Sequence, residues 1–222
     1  MLETFNFRVI LEYMPLYLQC FAATLWLSAL SLLGAILVGI IACAMRLSQS
    51  RIMSGLSGVY IESIRSTPLL VQLYFFYFGL PTLGVMLPEW VTGVIALTLN
   101  SGAYYAEIIR SGIQAIHTGQ IEAGIASGLS YFQRMRYIIL PQALGMTIRP
   151  MLGQAIVLVK DSSLLSLISI LELTRAGQML TSDRFMPAEG FLTTAAFYLI
   201  LYYMLKAFSG WSEKRLIFRE AY

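Results

Sequence analysis

"EAGIASGLSYFQRMRYIILP" (residues 122–141) is the most patterned polar stretch of a chain that is otherwise strongly apolar. Gly128 can adopt the left-handed backbone conformation that ends a helix. Ser130 and Gln133 match the S-x-x-Q pattern of a capping box, in which each side chain satisfies a backbone N–H at a helix start. Pro141 has no backbone N–H and is expected to kink its helix. The stretch therefore predicts a short helix, a glycine turn and a capped second helix that enters the next apolar segment.

The short helix is predicted over residues 119–127. Glu122 lies near its start, where a negative charge suits the positive end of the helix dipole. An exposed helix between two membrane helices moves only when the bundle moves, which makes it a suitable mechanical contact for another protein. On physical grounds alone, an ordinary capped loop explains the same residues equally well.

The composition of the 222-residue chain is that of an integral membrane protein. Hydrophobic residues make up 58% of the chain and charged residues only 12%, whereas a typical soluble domain has about 25% charged residues. The net charge of +3 is too small to indicate nucleic-acid binding. The lone His117 has no other His or Cys near it in the sequence, so no metal site is expected.

Five apolar segments predict an all-α membrane protein with five transmembrane helices. Placing the N-terminus outside and the C-terminus in the cytoplasm puts most loop arginines and lysines on the inner side. We expect a single transmembrane domain over 1–222, with a helical core of about 15–212 and a cytoplasmic loop over about 110–137. The five segments cover roughly residues 18–44, 54–79, 91–109, 138–160 and 191–209.

Charged residues inside these segments are candidate substrate contacts, because a charge within a membrane is costly and usually marks function. Thr67 and Pro68 read as the N-cap and first residue of a restarted helix. The N-terminus of such a half-helix attracts an anionic group such as an α-carboxylate, and Glu62 could then bind an ammonium group. The candidate contacts, including uncharged hydrogen-bonding groups, are Glu62, Arg65, Thr67, Asn100, Ser101, Lys160 and Asp161.

Simpler explanations of these charges stay open. Glu62 and Arg65 are three positions apart on one helix and could neutralise each other. Lys160 and Asp161 could instead lie at the outer membrane interface, with the Lys160 side chain reaching into water.

Four stretches of the sequence resemble one family of membrane proteins. The pattern Glu-Ala-Gly, three residues, Gly, nine residues and Ile-x-Leu-Pro in 122–141 resembles the EAA loop of bacterial ABC-importer permeases. The stretches 65–81, 100–116 and 158–168 resemble the polar amino-acid branch of that family, so the resemblance covers about 15–212. Gly124 departs from the pattern, because the family usually has Ala there.

The resemblance implies the transmembrane-domain fold of a type I ABC importer in the bacterial cytoplasmic (inner) membrane. It implies a subunit that translocates a polar amino acid by alternating access. In that family the EAA loop forms a coupling helix that docks on a cytoplasmic ATPase. Carried over to this chain, the coupling residues are Glu122, Ala123, Gly124 and Gly128.

The same resemblance implies three kinds of partner besides lipid: an ABC ATPase dimer, a second permease subunit and an extracytoplasmic amino-acid-binding protein. The sequence has no G-x-x-x-x-G-K-[ST] loop. We therefore expect a transport subunit and not an enzyme, with no cofactor of its own and with ATP and Mg used by the partner ATPase. The transported amino acid, and whether the two permease subunits are identical, stay open.

Two other functions compete with this one. An ion-gradient-driven amino-acid carrier would work without an ATPase. A membrane-embedded enzyme would have to use Glu62, Asp161 and His117, but His117 lies in a predicted loop and no nucleophile–base motif accompanies it.

Overall fold

The structure is a computed structural model that describes residues 5–216, with side chains up to Trp211. Residues 1–4 and 217–222, which belong to the predicted single domain, lie outside that range. Within the described range the chain forms helices joined by short connections, without strands. The helices are α1 (Phe7–Arg46), α2 (Arg51–Ser66), α3 (Leu69–Thr82), α4 (Glu89–Gln114), α5 (Thr118–Ala126), α6 (Tyr131–Ile168), α7 (Leu173–Arg184) and α8 (Pro187–Leu216).

The all-helical class agrees with the sequence, whereas the number of spans is only partly supported. Among the described residues, three helices are long and apolar enough to cross a membrane: α1, α6 and the Pro187–Trp211 part of α8. α4 has 26 residues, but Asn100 and Glu107 lower its mean hydropathy. The second expected span is divided between α2 and α3. Five spans and their orientation therefore stay a prediction.

Small residues allow α1 and α4 to pack closely along their length. A Cβ atom added to Gly39 would lie 2.6 Å from the Cβ of Tyr105, and one added to Gly34 would lie 2.8 Å from Thr98 Oγ1. Close backbone approach through small residues is the usual way in which helices associate in membranes. This pair forms the base against which α2, α6 and α8 pack.

Hydrogen bonds hold the start of α1 against the corner between α7 and α8. The backbone N–H of Asn6 donates to Glu189 Oε1 at 3.0 Å, and the Tyr13 hydroxyl donates to Asp183 Oδ2 at 3.0 Å. Arg184 forms an ion pair with Glu12 beside them. These bonds join the start of α1 to the end of α7 and the start of α8.

The patterned stretch 122–141 forms the short helix, the glycine turn and the capped second helix that its residues predict. α5 covers Thr118–Ala126, one residue earlier than expected, because His117 accepts a hydrogen bond from Gly119 N and caps the helix. Gly128 has φ +74°. The capping box of α6 is complete, since Gln133 N donates to Ser130 Oγ and Ser130 N donates to the Gln133 side chain.

The helix accommodates Pro141 through a π-helical turn over Met135–Ile139. The N–H of Leu140 donates to the carbonyl of Met135, five residues earlier. This wider turn relieves the collision that a proline ring has with the preceding turn of a regular α-helix. The same arrangement occurs in α3, where a π-helical turn over Phe75–Gly79 precedes Leu80 and Pro81.

Candidate functional site

A helix break separates α2 from α3, as the Thr67-Pro68 pair predicts. Thr67 is extended, with φ −114° and ψ 141°, as expected for a residue that precedes proline. The predicted roles are wrong by one position, because Pro68 is the N-cap of α3 and makes no side-chain capping bond. The Thr67 hydroxyl instead donates backwards to the carbonyl of Ser63 at 2.9 Å. It thus satisfies the end of α2 and not the start of α3.

Gln72 connects the break to α4. It is not among the residues that the sequence predicts for the site. Its side chain is only 7% exposed. The Nε2 nitrogen donates to the carbonyls of Ile64 and Thr67, at 2.8 and 3.0 Å. The Oε1 oxygen accepts from Asn100 Nδ2 at 3.1 Å. The one signal in the sequence was an uncharged polar residue within the apolar run LLVQLYFF.

A cavity of about 550 Å³ lies beside the break. α2, α3 and the break, α4 and α6 all contribute to its wall, so it gathers residues that are far apart in the sequence. It brings together four of the seven predicted substrate contacts. The lining consists of Arg65, Ser66, Thr67, Pro68, Leu69, Asn100, Tyr104, Gln154, Val157 and Asp161.

This cavity contains both a cation and an anion. The Arg65 guanidinium carbon lies 5.3 Å from the centroid of the Tyr104 ring, which it faces. The half-buried Asp161 carboxylate accepts no hydrogen bond from any residue in the described range 5–216. Asn100 Oδ1 and Gln154 Oε1 likewise have no donor among those residues. The cavity therefore offers one guanidinium and several free acceptors to a small polar molecule.

The other three predicted contacts do not line the cavity. Ser101 lies behind the wall, where its hydroxyl is 3.5 Å from Gln154 Nε2. Glu62 and Lys160 are exposed. Within the described residues no ion pair joins Glu62 to Arg65, so the mutual neutralisation that the sequence allowed does not occur in this structure.

A larger cavity of about 750 Å³ lies between α1, α4 and the start of α6. Apolar side chains such as Ile40, Ile113 and Leu144 dominate its wall, and none of the described residues that line it is charged. Because a zwitterion requires matched charges, the smaller cavity is the better candidate site for a polar ligand.

The exposed face of α5 carries part of the predicted coupling set. Glu122, Ala123 and Gly128 are exposed, whereas Gly124 is buried. A Cβ atom added to Gly124 would lie 2.8 Å from Ile138 Cδ1 and 3.1 Å from the side-chain carbons of Arg134. Gly124 therefore faces α6 of its own chain. The Arg134 guanidinium also donates to the backbone carbonyl of Leu129. Arg134 therefore connects α6 to both α5 and the glycine turn.

Comparison with known proteins agrees with this architecture. A family profile described as "Binding-protein-dependent transport system inner membrane component" matches residues 12–218. The chain belongs to this family. It is therefore an inner-membrane component, and the family resemblance indicated by the EAA-like loop is confirmed.

Curated relatives of this inner-membrane component match over nearly their whole length. The glutamine transport system permease protein GlnP of Escherichia coli is 37% identical over 214 residues, which cover 96% of this chain and 98% of the relative. The probable glutamine ABC transporter permease protein GlnM of Bacillus subtilis is 36% identical over 211 residues, 95% of this chain and 98% of the relative.

Solved structures show the same fold for this family member. The crystal structure of an amino acid ABC transporter with histidines matches with a TM-score of 0.91 and 35% identity, over 96% of this chain and 99% of that chain. The inward-facing MetNI methionine ABC transporter matches with a TM-score of 0.74, over 91% and 97% of the two chains. At 20% identity, this second likeness shows the fold alone.

Proposed function

We propose that this chain is the membrane-spanning subunit of an ATP-driven importer for a polar amino acid. The observation that supports this most directly is the cavity beside the α2–α3 break, where a guanidinium and a carboxylate line one space. Curated relatives named as glutamine permeases support the same substrate class.

The cavity suits the two ends of a zwitterion. Arg65 and the N-terminus of α3 carry positive charge and partial positive charge, and both suit an α-carboxylate. Asp161 suits the α-ammonium, because it has no competing donor among the described residues. Thr67 and Asn100 lie in the same wall, and Ser101 acts behind it through Gln154. Glu62 and Lys160 stay predictions.

The proposed topology has five spans, formed by α1, α2 with α3, α4, α6 and α8. At about 1.5 Å per residue, the 26 residues of α4 extend about 39 Å, which is enough to cross a hydrocarbon core of about 30 Å. With the N-terminus outside, α5 lies in the cytoplasm. Residues 1–222 then form a single transmembrane domain.

Energy is proposed to reach this domain through α5. Its exposed residues, Glu122 and Ala123, with Gly128 at its end, would contact one subunit of an ABC ATPase dimer that binds ATP and Mg. Closure of the dimer would move α5, and the packing of Gly124 on Arg134 would transmit that motion to α6. A second permease subunit and an extracytoplasmic binding protein complete the assembly.

The test is co-purification and uptake in liposomes. Glu122→Ala should weaken co-purification with the ATPase and lower ATP-driven amino-acid uptake, whereas Gln120→Ala, at another exposed position of α5, should not. ATP-independent uptake by this chain alone would refute the proposal and favour the ion-driven carrier.

A further inference from the structure

Gln72 and Asn100 form a chain of amide hydrogen bonds that begins at the helix break and ends at the cavity. The Gln72 nitrogen contacts two backbone carbonyls, those of Ile64 and Thr67. Carbonyl oxygens only accept hydrogen bonds, so the nitrogen end of the Gln72 amide must face them. The backbone of the break thus determines how this amide is oriented.

The orientation of Gln72 in turn determines that of Asn100. Gln72 presents its oxygen to α4, where the Asn100 nitrogen donates to it at 3.1 Å. With its nitrogen engaged, Asn100 has only Oδ1 left for the cavity. Asn100 is 5% exposed and lines the cavity, and within residues 5–216 nothing donates to Oδ1. The cavity therefore contains an amide oxygen that has no donor among the described residues.

We propose that Gln72 is a positioning residue for substrate selectivity, which holds Asn100 Oδ1 as an acceptor for a side-chain N–H group of the transported amino acid. The inference rests on the proposed function and narrows its substrate class. Amino acids with a side-chain amide, guanidinium, ammonium or imidazole N–H are accepted, and side-chain carboxylates are rejected.

The charges of the cavity indicate which group of the transported amino acid contacts Asn100: its side chain, and not its α-ammonium. A full positive charge gains more from an opposite charge, which Asp161 provides, than from a neutral amide oxygen. Arg65 and the α3 N-terminus take the carboxylate. A side-chain carboxylate at the same place would set its oxygen against Asn100 Oδ1. Both atoms are acceptors, so neither would gain a hydrogen bond, and a site rejects such a ligand strongly.

Glutamine and glutamate are the probes, because they differ only in the amide and carboxylate that the amide chain would distinguish. Binding is measured on the permease–ATPase complex without the extracytoplasmic binding protein, whose own selectivity would otherwise dominate. The wild-type complex should prefer glutamine. Gln72→Met keeps the side-chain volume but frees the Asn100 amide to turn, and should lower the glutamine-to-glutamate affinity ratio by about tenfold.

Asn100→Leu removes the acceptor while the break stays intact, and should lower the same ratio. If Gln72 acts through Asn100, the double variant should lose no more selectivity than Asn100→Leu alone. Gln178→Met is the matched control, because this partly buried glutamine donates to Ser166 away from the cavity, and it should keep the wild-type ratio.

An unchanged ratio in Gln72→Met, with both ligands equally weakened, would show a purely structural role and overturn the inference. The inference also fails if the wild-type complex does not prefer glutamine. If Gln72→Met does not assemble, Asn100→Leu decides, because an unchanged ratio there contradicts the proposal. A wild-type complex that binds no amino acid contradicts the proposed function itself.

Discussion

Two polar clusters of this protein, one buried and one lining a cavity, differ in how completely their hydrogen bonds are made. At the start of α7, the Glu172 carboxylate is fully buried. It accepts from Thr174 N, Arg175 N and the Tyr198 hydroxyl, at 2.9, 2.8 and 2.7 Å. In the cavity, by contrast, Asn100 Oδ1 and the Asp161 carboxylate accept nothing from the residues that the structure describes.

The difference distinguishes a structural role from the binding role that is proposed for the cavity. A buried polar group without a partner is costly, so native proteins rarely keep one unless water or a ligand completes it. The closed cluster of Glu172 joins α7 to α8 and stabilises the fold. The open cluster of the cavity leaves acceptors available for the ligand that we propose.

We expect the largest loss of stability for Glu172→Ala. This change removes the N-cap of α7 and leaves the Tyr198 hydroxyl without its acceptor, so the free energy of unfolding should fall by about 3 kcal/mol. Thermal unfolding of the purified chain in detergent measures the loss. Glu12→Ala, which breaks only the exposed ion pair with Arg184, should cost less than about 1 kcal/mol. Equal losses in the two variants would remove the distinction.

Asp161→Asn should show the opposite profile. No hydrogen bond from the described residues is lost, so the unfolding temperature should stay near that of the wild type. Substrate affinity of the assembled complex should fall at least about tenfold, because a charge-assisted contact is removed. The neighbouring Lys160→Gln, outside the cavity lining, serves as control. A similar loss of affinity in that variant would return Lys160 to the site.

The closed cluster should also make stability depend on pH. Burial raises the pKa of Glu172 from 4.5 to about 7, although hydrogen bonds from Thr174 and Tyr198 lower it. The folded state therefore binds this proton more tightly than the unfolded state. The stabilisation is present at low pH and is lost as the pH rises through about 7. The unfolding temperature should fall by roughly 5 °C between pH 5 and pH 8, and Glu172→Gln should flatten this dependence.

The smallest effect is expected at Gly124. An alanine there gains up to about 1 kcal/mol of helix propensity but displaces the end of the Ile138 side chain. We expect Gly124→Ala to retain ATP-driven uptake, because the face of α5 that is open to a partner does not change. An inactive Gly124→Ala transporter that still binds its ATPase would contradict this expectation.

Local sequence signals predicted the loop around α5 more fully than the cavity. The glycine turn at Gly128 and the capping box of Ser130 depend on neighbouring residues, so their patterns are readable in one stretch. The cavity depends on residues brought together from four helices. Gln72 was missed because its role is defined by Asn100, 28 positions away. Glu62 is among the predicted contacts because a charge in an apolar segment is visible in the sequence. Whether that charge faces the cavity cannot be read from the sequence.

The π-helical turn at Met135–Ile139 affects how a displacement of α5 would move the rest of α6. A π turn holds one residue more than an α turn, and each residue of an α-helix corresponds to about 100° of rotation. If this turn tightened to α-helical spacing, the rest of α6 would rotate relative to the capped turn that precedes it. Gln154 and Asp161 lie on that part of α6. A displacement of α5 would therefore rotate these two side chains relative to the other walls of the cavity.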